Sequence, residues 1–312
     1  MNELFLTVLT GLQIGAIYAM LALGLTLIFG TLGVVNFAHG ALYVIAIYAA
    51  VQIAVNVDFT VALIVVPLFL FAVGVAFERG VIRFFYDRPH TDQILVTFGL
   101  AIVVEELAKW LFGANNIPFN RPDWGQGVFI FYGPDAVIPP APFFQEAPKL
   151  WLPFIEGFIT FDYWRIILIG VTILTVGALF YLLQFTRFGL IVRAGMRDSD
   201  MVQFLGINIS RRFAMVVGLG AAIAGIAGLF GGPILGVTPD QGMKLLVPSF
   251  LVVVIGGMGS LSGAVLAAVI IGLALAFTAQ NADLQAIIIY LIAVVVLLVR
   301  PRGLLGRKGV FE

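Results

Sequence analysis

Apolar segments long enough to cross a lipid bilayer recur along the whole chain. Leu4–Phe29 and Phe59–Phe77 carry no charged residue, and Tyr163–Phe185 carries only Arg165. A helix needs about 20 such residues to span the hydrocarbon core of a membrane. With 61% hydrophobic and 11% charged residues, the chain lies far outside the composition of a soluble domain. The sequence therefore predicts an all-α, polytopic helical membrane protein.

We divide residues 1–312 into about eight hydrophobic segments of one transmembrane domain. Glycine-flanked breaks interrupt them at Gly30–Gly40 in the first half and at Gly256–Gly263 in the second half. Matching breaks in two halves predict a duplicated architecture, in which half-helices meet near the membrane midplane. The segments are Leu4–Phe29, Ala41–Val55, Phe59–Phe77, Ile94–Phe112, Tyr163–Phe185, Phe213–Leu235, Leu245–Phe277 and Ala286–Val299.

The distribution of charge predicts the orientation of these segments. Basic residues cluster at Glu78–Asp92, at Arg187–Arg212 and after Val299, so the positive-inside rule places all three regions in the cytoplasm. The loop over residues 113–162 holds five acidic against two basic residues, and we expect it to be extracytoplasmic. Residues 186–212 then form a cytoplasmic loop.

The number of membrane crossings constrains the second half further. Phe213–Leu235 leaves the cytoplasm and the last segment returns to it, so Leu245–Phe277 must enter and leave on the outer side. Each of its two arms is short for a full span, and we predict a re-entrant hairpin that turns at Gly256–Gly263. The side of the N-terminus stays open: it is outside if the first three segments all cross, and inside if the second is also re-entrant.

A short capped helix is predicted within the cytoplasmic loop, which contains five arginines. Asp198 or Ser199 supplies the cap, Asp200 adds negative charge at the positive end of the helix dipole, and Gly206 ends the helix in a left-handed conformation. Roughly seven residues make a helix of about 10 Å, which is too short to span a membrane. Such a helix suits a plug for a groove in a cytoplasmic partner; an ordinary interfacial turn is the alternative. Its apolar stripe comprises Met201, Val202, Phe204 and Leu205.

Polar residues inside the apolar segments are the candidates for a translocation path. Asn36 and His39 lie in the first break, where they either line the path, clamp the broken helix by bonding free carbonyls, or cap it without contacting substrate. Glu105 and Lys109 are spaced i,i+4, which favours a local ion pair over a proton relay. Gln13 and Thr26 are expected to face a lumen. Further candidates for the path or a helix break are Gly256, Gly257 and Ser260, and the glycines that predict close helix packing are Gly218, Gly220, Gly225 and Gly228.

Several kinds of chemistry are excluded because their motifs are absent. The chain has no Gly-Lys pair and hence no P-loop for ATP, and it has no His-Glu-x-x-His or Gly-x-Ser-x-Gly signature. It has no cysteine and only two histidines, so we expect no thiolate chemistry, no catalytic residues and no metal site. The first segment lacks a positively charged n-region, so we expect it to be retained as a span rather than cleaved as a signal peptide.

Five longer motifs follow one another along the chain, and NFAHG at Asn36–Gly40 is the most specific part of them. They are GLQIGAIYAMLALGLTLIFGTLGVVNFAHG (11–40), ERGVIRFFYDRPH (78–90), RAGMRDSDMVQFLGIN (193–208), GGMGSLSGAVLAA (256–268) and RPRGLLG (300–306). Together they resemble the LivH-type permeases of ABC importers for branched-chain amino acids, essentially from end to end. Two features depart from the family pattern: the basic loop is longer than usual, and Val202 stands where alanine is usual.

The resemblance implies half of a passive pore rather than an enzyme. Such a permease pairs with a second, homologous permease, binds two cytoplasmic ATPase subunits and receives substrate from a soluble periplasmic binding protein. It lies in the bacterial inner membrane with a cytoplasmic C-terminus. It binds no cofactor and no nucleic acid, and its partner ATPases use the ATP and magnesium. The helix around Asp198–Leu205 corresponds to the coupling helix, and the residues implied in coupling are Arg193, Asp198, Ser199, Asp200, Met201, Phe204, Leu205 and Gly206.

Other functions stay open on the sequence. The same machinery importing urea, short amides or aromatic carboxylates is one alternative, because resemblance separates these substrates poorly. An ATP-independent secondary transporter or channel is a second. It requires a coupling-ion site or a self-sufficient pore, whereas the intramembrane acids expected here are confined to Glu105 and Glu106. An intramembrane enzyme is a third, and the sequence holds no catalytic set for it.

Overall fold

The computed structural model describes residues 1–86 and 88–306, so Arg307 and Lys308 of the basic tail lie outside the described residues. Within that part of the chain, six helices are long and apolar enough to cross a membrane. The α-helices are α1 (Asn2–Leu32), α2 (His39–Asn56), α3 (Phe59–Gly80), α4 (His90–Phe112), α5 (Pro142–Glu146), α6 (Tyr163–Phe185), α7 (Arg187–Arg197), α8 (Ser199–Phe204), α9 (Ile209–Leu235), α10 (Gln241–Gly256), α11 (Leu261–Phe277) and α12 (Ala282–Val299). This architecture confirms the polytopic helical fold, and the protein is a multi-pass membrane protein.

The helix boundaries follow local capping chemistry. The Asp58 carboxylate accepts a hydrogen bond from the Thr60 N–H at 2.6 Å and starts α3. Asn208 starts α9 in the same way by accepting from the Arg211 N–H at 3.0 Å. These side chains satisfy N–H groups that a helix leaves free in its first turn.

Helix α1 lies at the centre and packs along α11 through a seam of small residues. A Cβ atom at Gly15 would lie 2.8 Å from the carbonyl oxygen of Ala268, and one at Gly11 would lie 2.8 Å from the Leu273 Cα. The two backbones are therefore in direct contact, as in other membrane helix pairs built on small residues. The predicted packing role of the α9 glycines is also confirmed, because Gly220 contacts α1, Gly225 contacts α3 and Gly228 contacts α2.

A small sheet covers one end of the helix bundle and was not predicted. Its strands are β1 (Val128–Tyr132), β2 (Lys149–Trp151) and β3 (Phe158–Asp162), in the order β2-β1-β3. Strand β1 pairs antiparallel with β3 and parallel with β2. The strands are short and separated by proline-rich chain, so no alternating pattern was long enough to indicate a sheet. We call this end of the molecule the sheet end.

The N-terminus lies at the sheet end. The Asn2 side chain donates to the carbonyl of Glu156 at 2.7 Å and accepts from the N–H of the same residue at 3.2 Å. The Phe5 ring packs edge-on against Phe131 of β1, with centroids 5.0 Å apart. The N-terminus therefore lies on the same side of the protein as residues 113–162. This is the alternative in which the first three segments all cross the membrane.

The predicted hairpin in the second half is confirmed as α10 and α11, joined by residues 257–260, but the prediction that it is re-entrant is wrong, because the hairpin extends through the whole depth of the bundle. The turn lies at the end opposite the sheet, which we call the tail end, because the chain after α12 packs against it. The N–H groups of Leu304 and Leu305 donate to the carbonyls of Ile255 and Gly256 at 2.8 and 3.0 Å. The tail thus satisfies carbonyls that α10 leaves free at its C-terminus.

Asp162 joins the sheet to α6 by two interactions. One carboxylate oxygen accepts from the Trp164 N–H at 2.9 Å and caps α6, while the other pairs with Arg121 at 2.5 Å.

We expect Asp162→Ala to lose about 1 kcal/mol of cap stabilisation. It should also lose up to about 1 kcal/mol from the ion pair with Arg121, whose side chains are partly exposed. Asp162→Asn keeps a capping oxygen and should lose only the second part. Thermal unfolding of the purified variants measures the difference, and equal midpoints would contradict the capping role.

Candidate functional site

The short helix predicted within residues 187–212 is confirmed as α8. The Asp198 carboxylate accepts from the Met201 N–H at 2.8 Å, so Asp198 is the cap and Ser199 is the first helical residue. Gly206 follows the helix with φ = 79°, in the left-handed region that glycine adopts without strain. The chain then turns back, and the Ile207 N–H donates to the Val202 carbonyl at 3.3 Å. Both ends of α8 are therefore fixed by local bonds.

The four apolar residues of the predicted stripe divide between two faces. Val202 is buried at 6% exposure, so this side chain packs α8 against the rest of the protein. Met201, Phe204 and Leu205 are 58%, 86% and 72% exposed. We call these three residues the α8 surface. An exposed apolar cluster on a fixed helix is typical of an interaction site rather than of a solvated turn.

Helix α7 was not predicted, because its arginines made this stretch look like a polar break. Thr186 caps its start, because the Thr186 hydroxyl accepts from the Gly189 N–H at 3.3 Å. Arg193 then donates to the Leu183 carbonyl and ties α7 to the end of α6. The buried residues Gly189, Val192 and Gly195, spaced three apart, are the signal that identifies a helix with one packed face.

Exposed arginines lie on the two helices next to α8 in the chain. They are Arg187 and Arg197 of α7 and Arg211 of α9. Asp200 is exposed in the first turn of α8. This part of the chain therefore combines exposed apolar residues with exposed, mainly basic ones, a composition that suits a protein interface.

A second group of predicted residues lies in the break between α1 and α2. Asn36 is buried, and its side-chain oxygen accepts from the Ala38 N–H at 3.0 Å. Two further N–H groups of the break bond to α4, since Phe37 donates to Thr97 at 3.0 Å and Val35 donates to Gln93 at 3.4 Å. The alternative in which Asn36 clamps free carbonyls is not what the structure has, because the Asn36 amide nitrogen has no hydrogen bond among the described residues.

The second break is confirmed, and it touches the first. Gly257 and Gly259 have φ of 101° and 84°, and the Ser260 hydroxyl starts α11 by accepting from the Gly263 N–H at 3.1 Å. A Cβ atom at Gly30 would lie 2.9 Å from the Gly259 Cα. The two breaks therefore pack together, but at the tail end rather than at the middle of the bundle.

Two expectations about polar residues have different outcomes. Gln13 and Thr26 are buried at 4% and 1% exposure, so neither faces a lumen in this structure. Lys109 pairs with Glu105 and also with Glu106, each at 2.8 Å, so the predicted ion pair is confirmed and enlarged. Among the residues that the structure describes, no group of acidic residues or histidines could hold a metal ion.

Glu78 is a buried carboxylate that the sequence did not single out. It lies near the end of α3 with 0% exposure, and the Tyr86 hydroxyl donates to it at 2.6 Å. Burial, followed by the bond to Glu78, raises the pKa of Tyr86 well above its usual value, so the hydroxyl remains a donor. The pair ties the basic loop to the tail end of α3.

Removing this donor should destabilise the protein. We expect Tyr86→Phe to leave the buried Glu78 carboxylate without its hydrogen bond, at a cost on the order of 1–3 kcal/mol. Thermal unfolding in detergent measures the loss. Tyr181→Phe on the exposed face of α6 is the matched control, and similar midpoints for the two variants would refute the pairing argument.

One open cavity of about 460 Å³ lies at the sheet end and was also not predicted. The Phe119 ring forms one wall and packs against Gly232 of α9. Arg121, held by Asp162 at 2.5 Å, lies on another wall. The cavity is lined by Phe119, Asn120, Arg121, Gln126, Gly127 and Pro233.

Comparison with known proteins gives a consistent result over the whole chain. Residues 7–297 match the family model described as the permease component of the branched-chain amino acid transport system. The high-affinity branched-chain amino acid permease protein BraD of Pseudomonas aeruginosa is 30% identical over 311 residues, which cover 96% of this chain and 95% of that protein. LivH of Salmonella typhimurium is 28% identical, with 99% of both chains covered. A probable LivH of Methanocaldococcus jannaschii is 25% identical over 92% of this chain and 88% of that protein.

No solved structure gives a significant match. The family match, together with a relative at 30% identity over nearly the full length of both proteins, decides the assignment. The chain belongs to the family of permease components of branched-chain amino acid transport systems.

Proposed function

We propose that this chain is a membrane-spanning permease subunit of an ABC importer. It forms half of the translocation path for branched-chain or related small amino acids. Separate cytoplasmic ATPases hydrolyse ATP with magnesium, and this chain binds no cofactor. The observation that carries the proposal is the α8 surface, placed on a chain whose family is already assigned.

The chemistry of the α8 surface favours a protein partner outside the membrane. Helix α8 has six residues, about 9 Å at the usual rise, so it cannot cross a bilayer. Phe204 at the end of α8 and Leu205 directly after it are the most exposed residues of the α8 surface, and the neighbouring helices α7 and α9 carry exposed arginines. A short helix of this kind fits a groove in a partner, as amphipathic helices do in other recognition modes.

The contacts around α8 also support transmission of motion. Ile209 of α9 packs against Gly195 of α7, and α8 lies between these helices in the chain and contacts both. Further along α9, a Cβ atom at Gly225 would lie 3.3 Å from the Pro67 Cα of α3, and one at Gly228 would lie 2.9 Å from the Ala46 Cβ of α2. A displacement of α8 by a moving ATPase would therefore shift closely packed helices as a body.

The orientation completes the proposal. Basic regions 78–92, 187–212 and the tail face the cytoplasm by the positive-inside rule, and the C-terminus lies there too. The sheet end then faces the periplasm of a bacterial inner membrane and forms part of the dock for a soluble substrate-binding protein. A second, homologous permease supplies the other half of the path.

The ion pairs disfavour an ATP-independent transporter. Lys109 neutralises part of the charge of Glu105 and Glu106, and Glu78 is held by Tyr86. One oxygen of each of these three carboxylates is engaged, so none of them offers both oxygens to a coupling ion.

Reconstitution into vesicles tests the proposal. We expect leucine uptake to require ATP, the ATPases, the sister permease and the binding protein together. Uptake by this chain alone, without ATP, would favour a channel or secondary transporter. The same assay with urea, a short amide and an aromatic carboxylate distinguishes the substrate alternatives within the importer class.

A further inference from the structure

A small cavity lies between α1, α2 and α10. Its walls include His39 and Tyr43 of α2, Leu21 of α1 and Ser249 of α10. It leaves about 10 Å³ for the centre of a water-sized sphere. That is close to the space which one bound water requires in a protein interior.

Residues with unpartnered polar groups line this cavity. His39 and Ser249 are each 1% exposed, and within the part of the chain that the structure describes neither the two ring nitrogens of His39 nor the Ser249 hydroxyl has a hydrogen bond. The Leu21 carbonyl lies beside the His39 ring, outside the geometry of a direct hydrogen bond. The Tyr43 hydroxyl, which lies next to Gly231 of α9, also has no partner among the described residues.

Such groups are rarely left unpaired in folded proteins. A buried donor or acceptor without a partner costs on the order of 1–3 kcal/mol, and most buried polar side chains bond to protein or to ordered water. Apolar cavities stay empty, whereas polar ones with two to four partners hold water. The cavity beside His39 is of the polar kind.

The packing explains why no side chain fills the space. Helices α2 and α10 both begin inside the protein, and their first turns meet at Gly40 and Gly242. A Cβ atom at Gly40 would lie 2.7 Å from the Gly242 carbonyl oxygen. Because this junction is made by backbone, it leaves a gap beside it that the neighbouring side chains do not close.

We propose that one ordered water occupies this cavity and bridges His39, Ser249 and the Leu21 carbonyl. His39 would then connect α2 to α10 and α1 through water rather than contact substrate. This gives the histidine of the NFAHG motif a specific role. The proposal does not depend on the identity of the transported molecule.

Hydroxyl-radical footprinting by X-ray radiolysis of the purified permease tests the proposal, because a bound water produces radicals next to the side chains that it touches. We expect His39 and Tyr43 to be modified although both are buried. Met20 is the dry reference at 0% exposure, and Met201 is the exposed reference. Methionine is intrinsically more reactive than histidine or tyrosine, and Met20 sets the level expected without water. Modification of His39 and Tyr43 that does not exceed the modification of Met20 would overturn the proposal.

A variant tests the bridge itself. Ser249→Ala removes one partner of the water, and we expect modification of His39 to fall toward the level of Met20. Ser210→Ala, at an exposed position of α9, is the matched control and should change nothing. Unchanged modification of His39 in Ser249→Ala would overturn the claim that Ser249 bonds to the water. If the variant folds poorly, the wild-type footprint alone decides whether a water is bound.

Discussion

Leu205→Asp is expected to abolish co-purification of the ATPase subunits while the permease still inserts into the membrane at normal yield. Leu205 is 72% exposed, so an aspartate there disturbs no packing within this chain. At an interface with a partner, however, the carboxylate would be desolvated without a counter-charge. Such a loss is on the order of 3–5 kcal/mol, which corresponds to a decrease in affinity of at least a hundred-fold. Affinity purification of a tagged permease with its ATPases measures it.

The control for this prediction lies on the same helix. Gln203 is also exposed on α8 but is outside the α8 surface, so Gln203→Asp adds the same charge and should retain more ATPase. Asp198→Lys removes the cap of α8 and should act like Leu205→Asp, because the bond to the Met201 N–H is lost. Undiminished ATPase with both Leu205→Asp and Asp198→Lys would contradict a coupling role for α8.

Gly272→Leu is expected to prevent folding of most of the protein. A Cβ atom at Gly272 of α11 would lie 2.6 Å from the Gly15 Cα of α1 and even nearer to the Gly11 carbonyl oxygen. Backbone cannot move aside as a flexible side chain does, so the two central helices would have to separate. We expect a loss above the roughly 1–3 kcal/mol typical of overpacked cores. Size-exclusion chromatography of a fluorescent fusion reports the fraction of monodisperse protein.

The matched control for the seam is Gly170→Leu. Gly170 lies in α6, where a Cβ atom would meet nothing within 4 Å, and the same side chain is added to another membrane helix. This variant should elute like the wild type. Equal monodisperse fractions for Gly170→Leu and Gly272→Leu would refute direct backbone packing between α1 and α11.

Local signals in the sequence predicted the parts of the fold that depend on short stretches of chain. The segment Tyr163–Phe185 agrees with α6 at both ends, because Asp162 caps its start and apolar residues fill its length. The α8 helix was predicted for the same reason, since Asp198 and Gly206 determine its ends within nine residues of chain. Hydropathy, caps and glycines act at short range and can be recognised without a structure.

Several of the missed features depend on contacts that no local pattern in the sequence indicates. The side of the N-terminus is decided by Asn2 bonding to Glu156, and no local pattern indicates that pair. The burial of Glu78 depends on Tyr86 and on the way the basic loop folds back. Likewise, the sequence placed four apolar residues on α8, but only the packing of Val202 decides that the other three remain exposed.

Single-cysteine labelling in intact cells tests the central claim most directly, because the natural chain has no cysteine. The central claim is that α8 lies on the cytoplasmic side, where the ATPases bind. A membrane-impermeant maleimide should label Asp135→Cys, in the exposed loop at the sheet end, in intact cells. It should label Gln203→Cys, at an exposed position of α8, only after the cells are opened, and less when the ATPases are present. Labelling of Gln203→Cys in intact cells would contradict both the orientation and the coupling role.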